Sequence, residues 1–190
     1  MTTATAAALI AHANTLRDQA DRLPDVAPDE LPDAVALGRQ VAHLGSLINE
    51  MGHAFAFLST APSAPEHIAQ AAEAYTNAIS HVSRASTQLS DAAGQIALIA
   101  RTNEDQHLPW ARNLRAKAPA VSRQAIAGAR EELLQAVTVL NNTATILPWL
   151  AAGRHLAAAH RSTAAPAPTA PTAPAPAPAP AAVHTTRHRR

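Results

Sequence analysis

The sequence predicts an all-α fold, a mostly antiparallel, up-down bundle of four helices. Three observations predict it. Long stretches of the 190-residue chain repeat apolar residues at alternating spacings of three and four, the period of one stripe along a helix. Alanine supplies much of a composition that is 47 % hydrophobic but only 3 % aromatic, and alanine is the best helix former. Only six glycines interrupt the chain. Small side chains bury little area each, so stability must come from length and many modest contacts. Residues 1–160 suit one helical domain, and residues 161–190 read as a tail.

The first helix is expected over residues 3–23. Ala6, Leu9, Ala13, Leu16, Ala20 and Leu23 keep the spacing, and Pro24 closes it because proline cannot continue a helix interior. No positive region precedes the Ala-rich run and no cleavage site follows it, so no signal peptide is expected. Asp25 to Asp33 is a Pro- and Asp-rich connector whose acids sit favourably at the start of the next helix.

The second helix, residues 33–59, has the bulkiest seam: Ala34, Leu37, Val41, Leu44, Ile48, Met51, Phe55 and Leu58. It is expected at the core. Gly38, Gly45 and Gly52 fall on one line of it. Either another helix approaches that line closely, or glycine is tolerated there at up to ~1 kcal/mol each.

Thr60 to Pro65 reads as a turn, and Ser63-Ala64-Pro65-Glu66 fits a capping box. The third helix then runs to about Arg101. Its seam is Ile68, Ala72, Tyr75, Ile79, Val82, Ser86, Leu89, Ala93, Ile96 and Ala100, which implies a helix about 50 Å long.

Residues 102–118 break the pattern. An additional short helix is expected near 109–116, starting at Pro109, before Pro119 begins the last long helix over 119–147. There Ile126, Leu133, Leu140 and Leu147 recur, with Ala129, Ala136 and Thr143 at the complementary positions. Pro148 is expected to kink or end it. From Ser162 to Ala182 the chain holds only Ala, Pro and Thr after the serine, a low-complexity run expected to be disordered with polyproline II bias. A small basic tip, His184 to Arg190, follows.

The absence of cysteine removes disulfides, thiolate metal sites and cysteine nucleophiles. Bundles can hold metals with Glu-x-x-His pairs, and Glu50/His53 and Glu104/His107 have that spacing. However, Met51 lies on the seam, which turns Glu50 and His53 outward, and Glu104 and His107 fall in the irregular stretch. The ten histidines are scattered and form no His-x-x-x-His pair. No G-x-S-x-G or phosphate-binding loop occurs, and the single lysine, Lys117, sits among arginines. No catalytic residue, metal or cofactor is therefore assigned, and no enzyme activity is expected. Leu133 to Gly153 carries no formal charge over 21 residues, yet its Gln, Asn, Thr and Pro argue for a bundle helix rather than a membrane span.

The net charge of +1 hides an asymmetry. Residues 1–75 hold three arginines against nine acids, −6, and residues 76–190 hold twelve basic residues against five acids, +7. The halves either complement each other within the bundle or offer the C-terminal half to an acidic partner. Trp110, Arg112, Arg115, Lys117, Arg123 and Arg130 gather around the break, where cations can neutralise phosphates and the indole can stack on a base or plug the bundle end. The expected function is a non-catalytic, cytoplasmic interaction or scaffold module whose partner is another protein or itself. The alternative is a nucleic-acid-associated accessory protein using those six residues and the basic tip.

Overall fold

Each seam becomes one helix. The computed structural model describes residues 2–60 and 65–162, with side chains as far as residue 152. In chain order it holds α1 (Thr2–Asp21), α2 (Ala34–Ser59), α3 (Glu66–Arg101) and α4 (Pro109–Ser162), and no strand among the described residues. The tail expected over 161–190 starts later than that, since residues 161 and 162 still belong to α4; the rest of it, from residue 163, and Ser63 of the expected capping box lie outside the described residues.

Local chemistry sets the helix ends. The Asp33 carboxylate accepts the Val35 N–H at 2.9 Å and so caps α2. The Pro65 carbonyl accepts from Ile68 and Ala69 at 2.8 and 3.2 Å to open α3, with Glu66 favourably placed in its first turn. At the other end Thr102 donates its N–H to Leu98 and its hydroxyl to Ile99, each at 3.1 Å. Residues 103–108 then turn the chain. Pro109 takes the first position of α4, where an N–H would have no helical partner anyway.

The stretch 109–116 is helical as expected, but it is not a separate element. It forms the first turns of α4, which runs unbroken for 54 residues, about 80 Å, through both Pro119 and Pro148. Each proline removes one helical hydrogen bond. Packing overrides that loss at Pro119, because Ala111 and Ala118 before it and Ser122 after it are all buried.

α3 packs against α2 and α4, and α4 against α1. All neighbours are antiparallel, in up-down-up-down order. The late α1 residue Gln19 accepts from the early α2 residue Gln40 at 3.0 Å, and Ala20 accepts from Arg130 of α4 at 3.4 Å. The α1–α2 seam is the widest, since those two helices form no comparably close pair. Leu9 and Leu16 of α1, Leu37, Leu44 and Met51 of α2, Tyr75, Val82 and Leu89 of α3, and Leu133, Leu140 and Leu147 of α4 fill the centre.

The buried positions match the expected seams on α1 and differ elsewhere. On α3, Tyr75, Val82 and Leu89 are buried, but their companions are Ala71, Ala78, Ala85 and Ala92 rather than Ala72, Ile79, Ser86 and Ala93. The cause is that α3 has a close neighbour on each flank. His81 meets Glu132 and Gln88 meets Gly128 on the flank shared with α4, next to the alanine line. Ile68, Ala72, Ile79, Ala93 and Ile96 are only partly buried, on the opposite flank. On α2, Leu47 is buried and Phe55 is exposed, the reverse of the expected seam. On α4, Ala144 takes the buried place expected of Thr143.

The glycine line of α2 marks no close approach. A Cβ placed at Gly38, Gly45 or Gly52 would meet nothing within 4 Å. The close approach is at Gly128, where a Cβ would lie 2.7 Å from the Gln88 amide oxygen.

α3 and α4 outrun their partners. The connector Pro24–Val26 lies beside Arg123, Ile126 and Arg130, so α4 before about Arg123 and the end of α3 project past α1 and α2 as a two-helix hairpin. The buried Ile99, Ala111 and Ala118 of this hairpin stand apart from the main core. No described helix is long and apolar enough to cross a membrane.

Candidate functional site

The six residues expected at a partner or nucleic-acid contact separate into three groups. Arg115 sends one guanidinium nitrogen to the carbonyls of Ile99 and Thr102 and to Asn103 Oδ1, each at 3.3 Å. Arg130 does the same for α1, reaching the Leu23 carbonyl and Asp25 Oδ1 at 2.9 Å and the Ala20 carbonyl at 3.4 Å. The last carbonyls of a helix lack internal donors and carry partial negative charge, so a guanidinium there is both a cap and a counter-charge. Arg112 donates to the His107 carbonyl at 3.2 and 2.9 Å and so fastens the turn. Arg123 lies beside Asp25 and Arg130 at the hairpin base. Only the Arg130 contacts join the basic half to the acidic half, at Asp25, one of the two roles the charge asymmetry allows; those of Arg112 and Arg115 stay within the basic half.

Trp110 and Lys117 stand elsewhere. Together with Gln95 and Leu98 of α3 and Leu114 and Val121 of α4 they line a groove of about 560 Å³ on the outer flank of the hairpin. Leu98, Trp110 and Val121 are exposed, and Trp110 is 51 % accessible, so it does not plug the bundle end. Helical period explains the groove, because Trp110, Leu114, Lys117 and Val121 are spaced four, three and four along α4.

Towards the body the same flank is polar. His81 Nδ1 lies 2.6 Å from Glu132 Oε2 and 2.8 Å from Arg84 Nη2, and Arg84 Nε reaches Glu132 Oε2 at 3.0 Å. One ring nitrogen cannot donate to a carboxylate and accept from a guanidinium together. The carboxylate contact is shorter and charge-assisted, so Nδ1 carries the hydrogen and gives it to Glu132. The His81 hydrogen bond, with Arg84 adding to it, holds the Glu132 carboxyl below its ordinary range against the opposing effect of burial.

A second cleft, of about 360 Å³, opens at the opposite end of the bundle between α1 and α2. Its walls include Ala4, Ala8, Ala54, Phe57, Ile68 and Tyr75. Reading the sequence alone missed it. The available signal was a pair of alanine-lined helix ends around the chain's single tyrosine, and alanines there read simply as helix formers. Among the described residues no group of three or more His, Cys, Asp or Glu side chains converges as a metal site, and Glu50, His53, Glu104 and His107 are all exposed.

The chain matches no protein-family profile, no curated protein and no solved structure.

Proposed function

We propose that the chain is a non-catalytic, cytoplasmic interaction module that associates with a second copy of itself through the outer groove of the α3–α4 hairpin. The observation that carries this reading is the exposed set Leu98, Trp110 and Val121 on a projection that neither α1 nor α2 covers. Contiguous apolar surface of this kind marks interaction sites, and tryptophan is prominent among residues that dominate binding. A two-fold contact needs one patch that complements itself. Here the protruding indole and the groove that could take it lie on one face. A net charge of +1 opposes the approach of two copies only weakly.

The nucleic-acid reading loses support at the residue level. Arg112, Arg115 and Arg130 already serve backbone carbonyls, which leaves fewer cations for phosphates. Random DNA is expected not to be retarded at low salt. Retardation that weakens steeply with salt would favour that reading instead.

Self-association has its own test. Trp149→Phe leaves Trp110 as the only indole. Its emission is expected to move to the blue as protein concentration rises, and Leu98→Glu or Val121→Glu is expected to abolish the movement. Emission independent of concentration would overturn the reading.

A further inference from the structure

Residues 1–75 carry nine acids and only three arginines, Arg17, Arg22 and Arg39. Two of the three, Arg22 and Arg39, line one cleft of about 300 Å³ where the end of α1 meets the start of α2. None of the nine acids lines it. Helical period assembles its α2 wall, because Ala36, Arg39 and His43 are spaced three and four along one face. Gln40, on the same wall, donates to the Gln19 carbonyl at 3.0 Å and so ties that wall to α1. Pro24, Ala36 and Leu37 supply the apolar part of the lining.

The positive charge of this cleft is uncompensated. The side chains of Arg22, Arg39 and His43 form no hydrogen bond or ion pair among the described residues. Asp25 faces the other side of Pro24, where it lines the neighbouring cleft and pairs with Arg130 at 2.9 Å. The Asp33 carboxylate is committed to the Val35 N–H. Even the negative end of α1 is already met, because Arg130 donates to the Ala20 and Leu23 carbonyls. Two guanidiniums that share a cleft repel each other, and an anion between them turns that repulsion into attraction.

We infer that this cleft binds a small phosphate monoester, with its terminal oxygens on Arg22, Arg39 and His43 and its ester group against Pro24, Ala36 and Leu37. Two fixed positive charges match a dianion. The planar guanidinium fork suits phosphate oxygens, and an imidazole adds at least one further N–H donor. Three donor groups thus meet the three terminal oxygens of one phosphorus. A DNA phosphate is a monoanionic diester and offers one charge where the cleft presents two, so this site does not predict DNA retardation. It is also separate from the hairpin groove and stands whether or not the chain self-associates.

The test is an NMR titration of the ¹⁵N-labelled full chain with phenyl phosphate at about pH 8, where the phosphate is a dianion, and at constant ionic strength. Backbone amides around Arg22, Arg39 and His43 are expected to shift saturably with one dissociation constant. Phenyl sulfate, of similar shape but singly charged, is expected to bind on the order of tenfold more weakly, and inorganic phosphate, which leaves the apolar lining unused, severalfold more weakly. Arg22→Gln and Arg39→Gln are each expected to weaken phenyl phosphate about tenfold. Both arginines are exposed, so neither change disturbs the core, and thermal melts check this. Arg17→Gln, which removes the third arginine of the acidic half from outside the cleft, is expected to change nothing. Shifts that never saturate, or equal weakening by Arg17→Gln, overturn the inference. So does phenyl sulfate or inorganic phosphate binding as tightly as phenyl phosphate, and so does tighter binding of succinate, which would assign the cleft to a dicarboxylate.

Discussion

Ser122 is fully buried on α4, and its hydroxyl has no hydrogen-bond partner. A buried hydroxyl that makes no hydrogen bond gives up its hydration for nothing. Ser122→Ala is therefore expected to raise the unfolding free energy by about 1 kcal/mol in urea denaturation, and a loss of similar size would mean that the hydroxyl has an acceptor after all. Glu132 works in the opposite direction. A carboxylate held below its usual value of 4.5 contributes stability that is fully present above that value and is lost as pH falls through the folded one. Thermal melts taken downward from about pH 6 should show this loss, and Glu132→Gln should flatten that part of the acid limb. Parallel curves for the two proteins would show that the His81–Arg84–Glu132 cluster contributes nothing. The basic cluster around residue 115 was legible in the sequence as charge, but its role was not. Which carbonyls Arg115 and Arg130 cap depends on where α1 and α3 stop and on what lies beside them.

At the scale of elements, hydrophobic period located all four helices; both ends of α2 and the end of α3 lie within a residue of the expected ones, whereas α3 starts two residues later than a cap at Ser63 would put it. The period fixed less about which side of a helix is deepest. A one-stripe reading of α3 found Tyr75, Val82 and Leu89 but chose the wrong companion line, because a helix between two neighbours buries two lines. The proline rule likewise placed a break at Pro119 that packing against α3 overrides. The glycines of α2 offer a direct check on packing. Gly38→Ala, Gly45→Ala and Gly52→Ala each add a methyl group to open space and remove backbone freedom from the unfolded chain. Each is expected to stabilise by about 0.5–1 kcal/mol in thermal or urea melts. Gly128→Ala should not share that gain, since its methyl group would displace the Gln88 amide. A destabilisation at all three α2 sites would mean that another helix does approach that line.

For the whole molecule, unequal helix lengths matter most. α1, at 20 residues, and α2, at 26, cannot cover α3, at 36, and α4, at 54. The surplus of α3 and α4 becomes the hairpin that carries Trp110. The sequence revealed the lengths approximately. It hid the overhang, because the residues of the hairpin looked like a loop. The widest seam and its cleft were hidden for a different reason: spacing reports which residues face inward, not how far apart the facing backbones stand. The central claim is that this overhang is an association surface, and the most direct test is solution mass by light scattering. The full chain and a chain ending at Ser162 are both expected to exceed the 19.7 kDa and correspondingly smaller monomer masses as concentration rises, and Leu98→Glu should return both to monomers. A full chain that stays at 19.7 kDa at every concentration, or association that vanishes only when residues 163–190 are removed, would contradict it.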